Sequence, residues 1–264
     1  MTAISGKVVL ITGAADGIGW AMARRFAGDG YHVAVADLNA DLAADRAAEL
    51  GGSHLAIAGD VGVEADVVRM IAAVTGHWGR LDALVNNAGI GDSPLPTLEQ
   101  TAENFDRVLR VHLGGSFLAS REAARAMIAQ GCGAIVNVSS IAGLSGIPGR
   151  NAYGAAKAGI ASMTRSMACE WARYGIRVNA IAPGYVDTEL VRRLAQAGTF
   201  DVGGLKRRIP LGRLAVPEEI AHAACFLASP QASYVTGTVL SVDGGWTAFG
   251  GAGDASDGDV SAGG

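Results

Sequence analysis

Short runs of β-branched and aliphatic residues alternate along this chain with longer alanine-rich stretches whose apolar positions recur at helical spacing. The runs 7–13, 32–37, 55–60, 83–87, 134–140, 177–182 and 238–242 read as seven strands, with amphipathic helices between them. Strands that alternate with helices call for a parallel sheet covered on both faces, and right-handed crossovers then favour a doubly wound, Rossmann-type α/β domain. In such sheets ligands bind beyond the carboxyl ends of the strands. Gly13, Asp37, Asp60, Asn87, Ser140 and Pro183 all fall at or just past a predicted strand end, so six marked positions share one rim and imply one site.

Three stretches depart from the alternation. Residues 184–213 mix a short helical pattern at 188–196 with glycines at 198, 203 and 204, and read as a lid over a substrate. From Gly250 onward the chain is Gly, Ala, Ser and Asp with almost nothing apolar, too little to offset the cost of ordering a backbone. The division expected is therefore one domain over 1–249 and a flexible tail over 250–264. The helical stretch 152–173 is apolar on more than one face, which predicts a second packing partner and hence a homo-oligomer, a tetramer or a dimer.

A length of 264 residues with 50% hydrophobic residues supports one large core. No uncharged apolar run approaches the ~20 residues that span a bilayer, and the start MTAISGKVVLITG lacks a signal-peptide layout, so no membrane partner and a cytoplasmic location are expected. Cys132, Cys169 and Cys225 are far apart with no CxxC, which suggests neither a disulfide framework nor a metal site. A net charge of −4 and a pI near 5.7 oppose a nucleic-acid footprint, and the cluster Lys206, Arg207, Arg208 is too small to change that.

The first strand runs into Thr12-Gly13-Ala14-Ala15-Asp16-Gly17-Ile18-Gly19. Three glycines where a strand turns into a helix let backbone N–H groups approach a pyrophosphate at the positive helix end. The spacing is GxxxGxG, without the GK[ST] ending of a triphosphate loop. Asp37 ends the second strand, where a carboxylate can accept hydrogen bonds from both ribose hydroxyls of an adenosine and would repel a 2′-phosphate. With Asp16 adding a second acid and no cation at Leu38 or Asn39, the expected cofactor is NAD rather than NADP. Tyr153 and Lys157 are spaced as YxxxK, with Ser140 thirteen positions before the tyrosine. Positions i and i+4 share a helix face, so the ammonium can sit beside the phenol and favour its phenolate, as a general acid/base near neutral pH requires. Ser140 can hold the same substrate oxygen.

Taken together, TGAADGIG, GDV at 59–61, NNAG at 86–89, Ser140, YGAAK at 153–157, and PG at 183–184 with Thr188 resemble, in order and spacing, the short-chain dehydrogenase/reductase family. The stretches IPLGRLAVPEEIA (209–221) and VTGTVLSVDGGW (235–246) are similar to the branch that contains 3-oxoacyl-thioester reductases and many alcohol dehydrogenases. The resemblance implies that Gly13, Gly17, Ile18 and Gly19 hold the pyrophosphate, Asp37 and Leu38 the adenosine ribose, Asp60 and Val61 the adenine, and Asn87, Ala88 and Gly89 the middle of the dinucleotide. Asn87 would also tie neighbouring strands together. Lys157 would bridge the nicotinamide ribose as well as perturb Tyr153, Val186 and Thr188 would contact the carboxamide, and Pro183 and Gly184 would also bind the cofactor. The implied activity is hydride transfer between NAD(H) and a secondary alcohol or ketone.

One position departs from the family's pattern. Where the family usually has an asparagine that helps hold a proton-relay water, this chain has Val111-His112-Leu113-Gly114-Gly115. Histidine titrates near neutrality when unperturbed, so His112 either joins the relay or is a spacer. A working relay is the expectation, with His112→Asn preserving or raising turnover. Two rivals to the alcohol dehydrogenase stand: a 3-oxoacyl-thioester reductase, and a non-catalytic NAD sensor or structural subunit on the same fold. The substrate pocket is expected to be lined by Ile90, Gly91, Asp92, Leu144, Ile147, Asn151, Tyr185 and parts of the lid, which suits a sugar, a hydroxy acid, a diol or a cyclic alcohol.

Overall fold

The computed structural model describes residues 6–91, 94–196, 201–251 and 253–256. Strands β1 (Val8–Thr12), β2 (His32–Asp37), β3 (Leu55–Ala58), β4 (Ala83–Asn86), β5 (Gly133–Val138), β6 (Ile176–Pro183) and β7 (Val239–Val242) form one sheet in the order β3-β2-β1-β4-β5-β6-β7. Every pairing is parallel. The helices are α1 (Gly17–Gly28), α2 (Ala40–Leu50), α3 (Glu64–Trp78), α4 (Ala102–Leu109), α5 (Gly115–Gln130), α6 (Asn151–Trp171), α7 (Glu189–Gln196), α8 (Val202–Arg208) and α9 (Pro217–Ala228).

Why the strands read as continuous apolar runs is plain from the layering. Successive side chains of a strand point to opposite faces, so a strand covered on both sides has no place for polar residues. Val9, Ile11, Val33 and Val35 pack with Trp20, Met22 and Phe26 of α1 and Ile220 and Ala224 of α9 on one face. Val8, Leu10, Ala34 and Ala36 pack with Met70 and Val74 of α3 and Ala123 and Met127 of α5 on the other. Among the exceptions are two buried asparagines that bond each other and their neighbours. Asn86 donates to Asn137 Oδ1 and Ser120 Oγ at 2.8 Å each, and Asn137 donates to Thr164 Oγ1 at 2.9 Å.

β1 pairs with β2 on one side and β4 on the other, so the sense of winding reverses between β1 and β4 and opens a crevice at their carboxyl ends. Among the described residues, no helix is long and apolar enough to cross a membrane.

The lid segment holds two helices, α7 and α8, where the sequence pattern indicated one. Gly203 and Gly204 lie inside α8 because Asp201 caps its start, its Oδ1 accepting from the Gly204 amide at 2.9 Å. Gly198 and residues 257–264 of the tail lie outside the described residues. The described part of the tail returns to α8. The amides of Ala255 and Ser256 donate to the Arg207 carbonyl at 2.7 and 3.1 Å, and Asp254 lies 3.7 Å from the Arg207 guanidinium. Arg208 donates to the Phe249 carbonyl at 2.9 Å, with its guanidinium 5.0 and 4.8 Å from the rings of Trp246 and Phe249.

Candidate active site

The crevice at the carboxyl ends of the strands deepens into a cavity of about 870 Å³. It gathers every residue singled out for the cofactor: Gly13, Asp16, Gly17, Ile18, Gly19, Asp37, Leu38, Asp60, Val61, Asn87, Ala88, Gly89, Pro183, Gly184, Val186 and Thr188. Ser140, Tyr153, Lys157 and His112 line the same cavity.

At the end of the cavity formed by β1 and β2 the loop is shaped by close approach. A Cβ on Gly19 would lie 1.9 Å from the Gly13 carbonyl oxygen, so only glycine lets α1 start there. Gly17 has φ +54° and faces open space apart from the Thr188 methyl at 3.8 Å, which leaves its backbone accessible to a ligand. Asp16 caps α1, accepting from the Gly17 amide at 2.7 Å. Asp37 accepts from the Ala15 and Asn39 amides at 3.1 Å each, which fixes its carboxylate at the end of β2. The nearby Arg46 donates to the Ala15 carbonyl at 3.1 Å and is held by Glu49 at 2.6 Å. Asn87 does tie strands together: its Nδ2 donates to the Thr12 and Gly13 carbonyls at 3.0 and 2.9 Å. Thr12, whose role in the site the sequence did not announce, accepts from the Asn87 and Ala88 amides at 3.1 Å each.

At the reacting end, β5 delivers Ser140 and α6 delivers Tyr153 and Lys157. Ser140 opens the 3₁₀ turn Ile141–Gly143, its Oγ accepting from the Ala142 amide at 3.1 Å. The turn rests on α6 because Gly143 has no side chain: a Cβ there would lie 2.6 Å from the Lys157 carbonyl carbon. Ser139 adds a hydrogen bond from Oγ to the Lys157 carbonyl at 2.8 Å. Gly143 and Ser139 were invisible as site residues because their contribution is contact with α6. Lys157 is buried, donates to the Val138 carbonyl at 2.7 Å, and lies 5.4 Å from the centre of the Tyr153 ring. Burial pushes its pKa down to about 7.

His112 sits on a π-helical turn, Arg110–Gly114, inserted between α4 and α5. Its ring stands perpendicular to that of Tyr153 at 5.3 Å, and its Nε2 is 3.2 Å from the Ile90 amide nitrogen and 3.1 Å from the Ile90 carbonyl oxygen. Nδ1 is buried with no hydrogen-bond partner among the described residues. Burial, reinforced by the Lys157 charge, pushes the His112 pKa down to about 3, against the opposing Ile90 hydrogen bond. Titration near neutrality, the reason for placing it in a relay, therefore does not hold: the imidazole stays neutral. The ring also explains Gly89, where a Cβ would lie 2.3 Å from His112 Cε1.

Of the expected substrate-pocket residues, Ile90, Gly91, Ile147 and Tyr185 line the cavity. Leu144 and Asn151 do not: Leu144 is 42% exposed, and Asn151 donates away to Thr97 Oγ1 at 2.6 Å. Asp92 lies outside the described residues. The cavity also includes Arg150, which the sequence reading passed over although it stands three residues before Tyr153, a spacing that shares a helix face. Among the described residues no group of three His, Cys, Asp or Glu side chains is arranged to hold a metal ion.

A family model described as enoyl-(acyl carrier protein) reductase matches residues 13–247. An uncharacterized short-chain type dehydrogenase/reductase of Sinorhizobium fredii is 48% identical over 91% of this chain, which spans only 44% of that relative's length. A cis-4-hydroxycyclohexanecarboxylate dehydrogenase of Sinomonas cyclohexanicum is 45% identical over 93% of this chain and 98% of its own. The crystal structure of a 3-ketoacyl-(acyl-carrier-protein) reductase from Brucella melitensis, complexed with NADH, superposes with a TM-score of 0.85 at 39% identity, covering 92% of this chain and 98% of that one. With this match over nearly its whole length and with the fold and cavity just described, the chain belongs to the short-chain dehydrogenase/reductase family, enzymes that act as oxidoreductases on CH–OH groups.

Proposed function

We propose that the protein interconverts a secondary alcohol and a ketone with NAD(H), using Tyr153 as the acid/base. The observation that carries this reading is the convergence of Ser140, Tyr153 and the buried Lys157 at one end of a cavity whose other end is the glycine turn and Asp37. The open backbone at Gly17 and the fixed carboxylate of Asp37 suit a dinucleotide with an unphosphorylated adenosine ribose. When bound, NAD supplies the acceptor or donor of hydride.

The chain's own residues supply position and proton transfer. The Tyr153 phenolate oxygen takes the proton of the alcohol O–H as the C–H bond breaks, and the phenol so formed returns it in the reverse direction. Lys157, 5.4 Å from the ring in a buried pocket, favours phenolate; a phenolate in turn favours the ammonium, so the pair titrates together. Ser140 already accepts from the Ala142 amide, which leaves its own O–H proton to donate to the substrate oxygen. His112 acts by packing: a neutral ring against Tyr153, anchored at Ile90.

NAD in preference to NADP is supported by the carboxylate of Asp37, with Arg46, which bonds the neighbouring Ala15 carbonyl, engaged by Glu49. The catalytic domain is residues 1–249 with 250–264 appended. A cytoplasmic location is supported by three unpaired cysteines, two of them exposed. A homo-oligomer is supported by the outward face of α6, where Ala155, Ala158, Ser162 and Cys169 are exposed. A second reading, a 3-oxoacyl-thioester reductase, is favoured by the match to the Brucella reductase.

One experiment separates these readings. NADH and NADPH binding are measured by fluorescence for the wild type and for Tyr153→Phe, and the same samples are assayed with secondary alcohols and acyl thioesters. The expected outcome is NADH bound at least about tenfold more tightly, from the lost ribose hydrogen bonds and the opposed charge. Tyr153→Phe should keep that binding while turnover falls at least about 100-fold. Preference for NADPH with thioester turnover would replace the first reading by the second.

A further inference from the structure

Arg46 stands on α2, outside the wall of the cavity, yet its side chain reaches the turn that follows β1. Different parts of one guanidinium are used. Nε donates to the Ala15 carbonyl at 3.1 Å, Nη1 donates to Glu49 Oε2 at 2.6 Å, and the guanidinium carbon lies 4.7 Å from the centre of the Trp20 ring. With the side chains of Arg46 and Glu49 28% and 53% exposed, their ion pair alone would fix little. Trp20 adds a rigid support, since it belongs to the core of the α1 face of the sheet.

What the contact does follows from the geometry of the peptide unit. A trans peptide is planar, with its C=O and N–H pointing in opposite directions. The bond from Arg46 to the Ala15 carbonyl therefore turns the Asp16 N–H away from Arg46. On the other side of the same residue the Ala15 amide donates to Asp37 Oδ2 at 3.1 Å, so both peptide units of the fully buried Ala15 are tied, one to α2 and one to β2. Asp16 and Gly17, which follow, line the cavity. A turn with Gly13 and Gly17 at φ +62° and +54° has other backbone wells within reach, so a single shape needs support from outside it.

We infer that Arg46 is a positioning residue for the cofactor. It fixes the peptide between Ala15 and Asp16, and with it the N–H groups at the start of α1 that receive the pyrophosphate, without touching the dinucleotide. The inference rests on the NAD(H) reading and adds that binding strength is set from α2. Its energetic form is a population: the apparent dissociation constant is the intrinsic one divided by the fraction of molecules whose turn has the competent shape. Loss of Arg46 then weakens every ligand that uses the turn by one common factor.

The test is Arg46→Met, which keeps an apolar stem near Trp20 and removes the donor, beside Arg46→Lys, which keeps the charge and loses the planar fork. NADH, NADPH and ADP-ribose are titrated by calorimetry, and ¹⁵N relaxation of the Asp16 and Gly17 amides is measured in the ligand-free protein. In Arg46→Met all three dissociation constants should rise by the same factor, about tenfold, as for the loss of a hydrogen bond from a charged donor. Order parameters of the two amides should fall from about 0.85 toward about 0.6. In turnover the KM of NAD⁺ should rise while kcat at saturating NAD⁺ does not fall. Arg46→Lys should lie between the two, and it carries the comparison if circular dichroism shows Arg46→Met to be unfolded. A changed ratio of NADH to NADPH affinity would mean that Arg46 meets the adenosine ribose directly, and overturns the positioning role. Unchanged binding in a folded variant, or a lower kcat with binding unchanged, overturns it as well and leaves the NAD(H) reading intact. If the wild type binds none of the three ligands, that reading falls and the positioning role with it.

Discussion

Two nitrogen bases share the low-dielectric pocket beneath Tyr153, and burial drives both toward neutrality, His112 to about 3 and Lys157 to about 7. The two outcomes differ in use. A lysine near 7 still changes charge within the working range, whereas a histidine near 3 stays neutral throughout it. His112 should therefore show a neutral ring of unchanging tautomer from pH 5 to 9 in ¹⁵N spectra of histidine-labelled protein; a titration with a midpoint above about 5 would contradict the burial argument. The contact between His112 and Gly89 is equally specific. Gly89→Ala should destabilise the protein by about 1–3 kcal/mol through overpacking, and the cost should shrink in a His112→Asn background because the shorter side chain yields the space. Additive losses measured by denaturant titration would show that the Cβ is accommodated elsewhere. Of these residues, Tyr153, Lys157 and Ser140 line one cavity, as the spacing together with the surrounding motifs led one to expect. The neutrality of His112 was not legible, because a pKa depends on neighbours that the order of residues does not name.

At the scale of elements, helix spacing, strand runs and the glycine turn were readable because each is a local pattern with one physical solution. The lid was only partly readable. Gly203 and Gly204 suggest a break, yet a single cap at Asp201 lets a helix form through them, and helix stability there comes from contacts rather than propensity. Those contacts run through Arg208, clasped between Trp246 and Phe249, and through Arg207, which receives the tail. Each cation–aromatic contact contributes about 0.5–1 kcal/mol. Arg208→Ala should therefore raise amide exchange across α8 several-fold while leaving the strands as protected as before. Unchanged exchange in α8 would assign the helix's order to other contacts. Leu144 and Asn151 were misplaced for the converse reason: sequence proximity to Ser140 and Tyr153 does not say on which side of a turn a side chain leaves.

Across the whole molecule, the order β3-β2-β1-β4-β5-β6-β7 distributes one site over almost the full chain. One end of the cavity is made by β1, β2 and the loop after β3, and the other by β5, α6 and the segment after β6. The sequence could place these on one rim because a parallel doubly wound sheet has only one such rim. It could not supply the full lining of the cavity, Arg150 included, since that depends on how loops return to the rim. The dispersal also has a kinetic consequence. Gly13 and Thr188 meet in one cavity only after the long crossovers between them have closed, so a ligand that spans both finds its site in the finished sheet and in nothing earlier. NADH should accordingly slow unfolding in proportion to its occupancy and leave the rate of refolding from denaturant unchanged. Faster refolding with NADH would mean that β1 to β4 bind the adenosine half while the rest of the chain is still unfolded.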